Sequence, residues 1–139
     1  MKERFQYAAD IQQIPSIRKD LSMLADRWQI PGSVFNQVRF IIEELFSNIV
    51  RYGYQDTGSH MVEVLVKLDS GTILIELSDD GVPFDPLHYR NIPPSDPAAP
   101  GSGGMGLALV RTFADSISYR RAGHKNQLEI TKKMKSNRN

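Results

Sequence analysis

The sequence predicts an α/β (α+β) two-layer sandwich, a mixed, mostly antiparallel sheet with helices packed on one face. Three observations predict it. Val34, Val38, Ile41, Ile42, Leu45 and Ile49 form a wide apolar stripe at helical spacing. Val62, Val64, Val66 and Leu68 alternate with mostly polar neighbours, and Ile73, Ile75 and Leu77 repeat that period of two beyond a turn. Gly101, Gly103, Gly104 and Gly106 then run into the apolar segment Leu107, Ala108, Leu109, Val110.

Taken in order, Phe5, Tyr7 and Ala9 alternate with polar residues and predict a first strand. Ile17, Leu21, Leu24 and Trp28 recur at spacings of four, three and four, one face of a helix opened near Pro15 and ended before Pro31-Gly32. Ser33 is placed to cap a second helix, which ends near Gly53. The strands around Val62–Leu68 and Ile73–Leu77, joined by Asp69-Ser70-Gly71, read as an antiparallel hairpin. Pro83, Pro86, Pro93, Pro94, Pro97 and Pro100 crowd the segment 82–103 and forbid regular structure there. A loop of that length in a small domain reads as either a disordered segment or a functional lid. A third helix is expected from about Gly104 to Asp115. Ile117, Tyr119 and Arg121 then predict a strand, Gly123 a turn, and Leu128 and Ile130 a last strand. Lys132–Asn139 is a basic tail, expected to fray.

With 139 residues and no internal repeat, residues 1–139 are expected to form a single domain. A chain of this length buries roughly 70% of its unfolded surface, enough for a true core. Seventeen Lys and Arg balance 16 Asp and Glu, for a net charge of +1. That balance provides no general attraction to nucleic acid or to an anionic membrane. The chain has no Cys, which excludes disulfides, thiolate metal sites and a Cys nucleophile. No signal core or membrane-spanning run is present, so a cytoplasmic location is expected. His60, His88 and His124 are isolated and lack metal-ligand spacing, which points to surface or packing roles.

Three segments carry chemistry. On the second helix, Glu44 and Asn48 are four residues apart and share a face, with Arg51 three further on. An Asn oxygen is a hard, neutral ligand suited to Mg²⁺, a Glu one turn away can accept a proton, and an Arg can meet a phosphate. The same residues also fit a solvated helix face with local ion pairs, as Glu43 does with Arg39 at i−4. Asp79 closes a buried strand and precedes Asp80 and Gly81. There a carboxylate can accept from the exocyclic amine of a base, while Gly81 leaves room for a ring. Asp-Gly is equally a turn pair. The glycine run at 101–106 lets backbone N–H groups approach a ligand ahead of a helix N-terminus, a phosphate cradle or a plain connector.

The order of these pieces resembles the Bergerat-type (GHKL) ATPase superfamily, over nearly the whole chain. Asn48-Ile49-Val50-Arg51-Tyr52-Gly53-Tyr54 and Asp79-Asp80-Gly81-Val82-Pro83-Phe84-Asp85-Pro86 are most similar to the anti-sigma-factor serine-protein kinase branch. The resemblance implies a Bergerat fold binding ATP and Mg²⁺. It makes Glu44 the general base and Asn48 the metal ligand. Asp79 becomes the adenine acceptor with Gly81 beside the ring, and Gly104-Met105-Gly106 the phosphate-contacting end of the lid, alongside Gly101, Gly103 and Arg51. It also implies an antagonist protein phosphorylated on serine, a sigma-factor partner, and a homodimer. Pro83 replaces a glycine frequent in the superfamily, and Ser102 with Gly103 stands where some anti-sigma kinases carry a basic residue. Ser102 therefore keeps open an ATP-binding interaction module without phosphotransfer. A histidine-kinase-type ATPase domain is the other alternative, disfavoured because no helix carries a phospho-accepting His beside an acid.

Overall fold

The computed structural model describes residues 1–54, 58–87 and 105–134. Strand β1 (Lys2–Ala8) leads through a short 3-10 turn (Ile11–Gln13) to helix α1 (Ile14–Trp28) and helix α2 (Gly32–Tyr52). Strands β2 (Met61–Asp69) and β3 (Thr72–Asp79) follow, then helix α3 (Met105–Phe113) and strands β4 (Ser116–Ala122) and β5 (Lys125–Lys133). The sheet order is β1-β2-β3-β5-β4.

Every pairing described in the sheet is antiparallel, where a mixed, mostly antiparallel sheet was expected. The reason lies in the crossover. The chain leaves β3, returns through α3 to the far edge as β4, and turns back as β5 beside β3. Both hairpin turns use a glycine at positive φ, 78° at Gly71 and 61° at Gly123.

The strand period of two sorts residues into cross-sheet rows. Phe5, Val64, Leu77, Leu128 and Tyr119 form one row across all five strands. Tyr7, Val62, Asp79, Asn126 and Arg121 form the next. The first row is apolar and aromatic. The second turns polar at its far end, where the site lies.

The helices cover this face. Ile17, Leu21 and Leu24 of α1, Val38, Ile41, Ile42, Leu45 and Ile49 of α2, and Val110 of α3 join the strand residues in one buried cluster. Burial of each Leu or Ile side chain stabilises by roughly 1.5–3 kcal/mol, so the sheet fixes the rotation of α2 about its axis. The Phe40 and Phe113 rings meet edge to face at 5.7 Å, holding α3 against α2. The Tyr7 hydroxyl donates to Asp20 Oδ2 at 2.7 Å, linking β1 to α1.

Two further expectations are corrected. Ser33 does not cap α2. Pro31, extended at φ −58° and ψ 146°, takes the cap position without a side-chain bond, and Phe35 N–H already reaches Pro31 O at 2.9 Å. Lys132 and Lys133 belong to β5 rather than to a frayed tail. Lys132 Nζ donates to Phe113 O at 2.8 Å and Lys133 N–H to Asp115 Oδ2 at 2.6 Å. Among the described residues no helix is long and apolar enough to cross a membrane.

Candidate nucleotide site

Helix α2 carries adjacent carboxylates with opposite surroundings. Glu43 is saturated: Arg18 of α1 donates to both its oxygens at 3.0 Å, and Arg39 Nη1 reaches Oε2 at 3.0 Å. Glu44, half-buried, accepts no hydrogen bond and forms no ion pair among the described residues. The solvated-face reading thus describes Glu43 and not its neighbour. Glu44 instead packs against the start of α3, where a methyl group added to Gly106 would fall 2.0 Å from Glu44 Oε1. Only glycine leaves that carboxylate its place.

One turn on, Asn48 is buried at 7% exposure, yet its amide makes no hydrogen bond among the described residues. The amide keeps contact with solvent through that remaining exposure, so its oxygen and nitrogen are open to a ligand entering from that side. Arg51 follows, exposed in the last turn of the helix.

The other end of the site is built at the exit of β3. Asp79 is 4% exposed and accepts from Gly81 N–H at 3.3 Å and from Asn126 Nδ2 at 3.4 Å. Both bonds fall on Oδ2, and Oδ1 accepts none among the described residues. Burial raises the Asp79 proton affinity above the ordinary carboxylate range, opposed by the Gly81 and Asn126 donors and by the charge of Arg121.

The turn after β3 is pressed onto the end of α2. Val82 N–H donates to Gly53 O at 2.9 Å, and a methyl group on Gly81 would sit 2.2 Å from that oxygen. A cavity of about 500 Å³ opens beside this contact, lined by Gly53, Tyr54, His60, Asp80, Gly81 and Arg121 among others. His60 packs there, its ring stacked on Tyr54 at 4.1 Å and its Nδ1 3.2 Å from Asp80 Oδ1.

The structure therefore brings Glu44 to Gly106 and Asp79 with Gly81 to the cap of α2. From Glu44 to Gly53 is about 13 Å along the helix at 1.5 Å per residue, a span on the scale of an extended nucleoside triphosphate. Gly101, Gly103, Gly104 and most of the expected lid at 82–103 lie outside the described residues. Met105 opens α3. Among the described residues no group of three His, Asp or Glu is arranged to hold a metal. A cation at Asn48 would draw its other ligands from phosphate and water, the habit of Mg²⁺. The open amide of Asn48 and the unbonded Oδ1 of Asp79 thus fit a metal–nucleotide ligand.

Sequence reasoning missed Asn126 and Gly53. The signal for Asn126 was its parity: it shares a strand face with Leu128 and Ile130, where a polar residue is out of place.

A model of the histidine kinase-like ATPase domain family matches residues 7–132. The chain is 27% identical over 115 residues to the serine/threonine-protein kinase BtrW of Bordetella bronchiseptica, covering 78% of this chain and 75% of that protein. It is 26% identical over 84 residues to the anti-sigma F factor of Bacillus licheniformis, covering 59% of this chain and 57% of that one. In fold it is similar to the RsbU and RsbW domains of a Mycobacterium tuberculosis protein, with a TM-score of 0.70 at 16% identity. That likeness covers 96% of this chain and 32% of the other, so the chain spans about a third of that structure's length.

Proposed function

The chain belongs to the histidine kinase-like ATPase domain family, and on that premise we propose that it is a Mg·ATP-dependent serine-protein kinase acting as an anti-sigma-type regulatory switch. The observation that carries this reading is the contrast on α2. Glu43 is held by two arginines, while Glu44, without hydrogen bond or ion pair among the described residues, faces the start of α3. A carboxylate kept out of ion pairs stays available to take a proton.

In this reading Asn48 holds Mg²⁺, Asp79 Oδ1 accepts from the adenine amine, and Gly81 leaves room for the ring. Arg51 and the backbone amides of the run 101–106 meet the phosphates. When bound, the metal–nucleotide supplies the phosphoryl group and offsets the charge that develops as it transfers. Glu44 takes the proton of a serine hydroxyl on the antagonist protein as that oxygen bonds to phosphorus and the bond to the departing diphosphate breaks. Relatives named as a serine/threonine-protein kinase and an anti-sigma F factor support the choice of partners. The sigma factor, the homodimer and the lid at 82–103 belong to the same proposal.

Ser102, in a position where some anti-sigma kinases are basic, favours a second reading, an ATP-binding module without phosphotransfer. One experiment separates the two. The protein is incubated with γ-labelled ATP, Mg²⁺ and host lysate, beside the Glu44→Gln variant. The kinase reading expects a small protein to gain phosphoserine, and Glu44→Gln to bind ATP but transfer more slowly by a factor of about 10²–10⁴. Tight ATP binding with no transfer supports the module, and transfer unchanged in the variant removes Glu44 from its role.

A further inference from the structure

Asn126 is 4% exposed and stands on β5 directly opposite Asp79. Its amide reaches four different groups. Nδ2 donates to Asp79 Oδ2 at 3.4 Å and to Val82 O at 2.8 Å. Oδ1 accepts from Phe84 N–H at 3.3 Å and from the Tyr119 hydroxyl. Two N–H bonds and two lone pairs are the whole capacity of an asparagine side chain, so this one is saturated. It spans the end of β3, two points of the turn beyond it, and the edge strand β4. Arg121, next in the same row, donates from Nη1 to Gly81 O at 2.7 Å and secures the turn from the other side.

We propose that Asn126 is a positioning residue for base selection, fixing Asp79 Oδ2 and the turn Gly81–Phe84 in one frame so that Asp79 Oδ1 is the oxygen presented to the base. The inference rests on the reading of Asp79 as the base acceptor. A carboxylate rotates broadly about its last torsion, and without restraint either oxygen can face the ligand at many angles. Donors from Gly81 and Asn126 on the same oxygen remove that freedom. The remaining oxygen is then an acceptor with a set direction. Adenine offers an amine at the edge where guanine carries a carbonyl, and a fixed acceptor rejects an acceptor because both groups are left unpaired. Burial favours protonation of Asp79, and the Gly81 and Asn126 N–H donors oppose it.

The test measures ADP and GDP affinities by calorimetry in the whole protein, for the unaltered chain, Asn126→Leu, Asp79→Asn and the double variant, with melting curves for each. Asn126→Leu is expected to lower ADP affinity about tenfold, the effect of one lost hydrogen bond to a charged group, with GDP affinity unchanged. The double variant is expected to lose no more discrimination than Asp79→Asn alone. A residue that only holds the sheet would lower the melting temperature and leave the ADP-to-GDP ratio where it was, and that result overturns the proposal. Should Asn126→Leu fail to fold, Asn126→Ser removes the amide with less strain and carries the same expectation. If Asp79→Asn itself keeps the ratio, the reading of Asp79 fails. If Asp79→Asn loses it and both Asn126 variants keep it, only the role of Asn126 fails.

Discussion

Glu44 of α2 and Gly106 of α3 share one contact so close that a side chain at position 106 would overlap the carboxylate, 2.0 Å from Oε1 and 2.4 Å from Cδ. The overlapping group is the tip of a flexible side chain, not backbone, so the fold can absorb the change by moving Glu44 aside. Gly106→Ala should therefore melt at or above the unaltered protein, since alanine favours helix over glycine. Phosphotransfer should fall about a hundredfold, the scale of an ångström's misplacement of a reacting group. A parallel loss of stability and activity would show that the contact supports the fold rather than the position of Glu44.

Asn48 tests the metal. Its buried amide has no partner among the described residues, so removing it orphans no other group there. Asn48→Ala should keep its melting temperature near that of the unaltered chain. Nucleotide titrations with and without Mg²⁺ should then coincide. A variant whose ATP affinity still rises with Mg²⁺ would end the assignment.

Asp79 tests the base and also carries a pH signature. Burial makes the folded protein hold this proton more tightly than the unfolded chain does. Its contribution to stability is thus fully present below the ordinary carboxylate range and is lost as pH rises through the folded value. Asp79→Asn abolishes that dependence. The variant should melt at or above the unaltered protein at neutral pH, the difference closing in acid, while losing its preference for adenine over guanine nucleotides. A variant less stable at neutral pH than in acid, relative to the unaltered chain, would contradict the sign.

Much of this fold is legible in the sequence. The period of two in Val62–Leu68 and Ile73–Leu77 gave the hairpin because each strand has one buried face, and the stripe from Val34 to Ile49 gave α2 for the same reason on a helix. Glu44 and Asn48 could be placed on one face by counting residues. What counting could not show was that Arg18, 25 positions away, would saturate Glu43 and leave its neighbour unpaired. Nor could it show that β5 would return beside β3 and make the sheet antiparallel throughout its described pairings. Ser33 misled because cap preference is a local average, whereas Pro31 already held the required backbone. Asn126 was overlooked because its four partners are 7 to 47 residues distant in sequence, and only the sheet register assembles them.

Gly53 and Gly81 meet backbone to backbone, and a methyl group would strike Ile49 O at 2.6 Å from the first or Gly53 O at 2.2 Å from the second. Peptide groups cannot step aside as a carboxylate can. The end of α2 and the exit of β3 are in effect welded, so any tilt of the helix is transmitted whole to the floor beneath Asp79. In the proposed function, the two ends of the nucleotide would be read by one lever with a fixed fulcrum. A side chain at position 53 would strike the helix that ends there and one at position 81 would strike Gly53 O, so both changes shift the same junction and should fail to add.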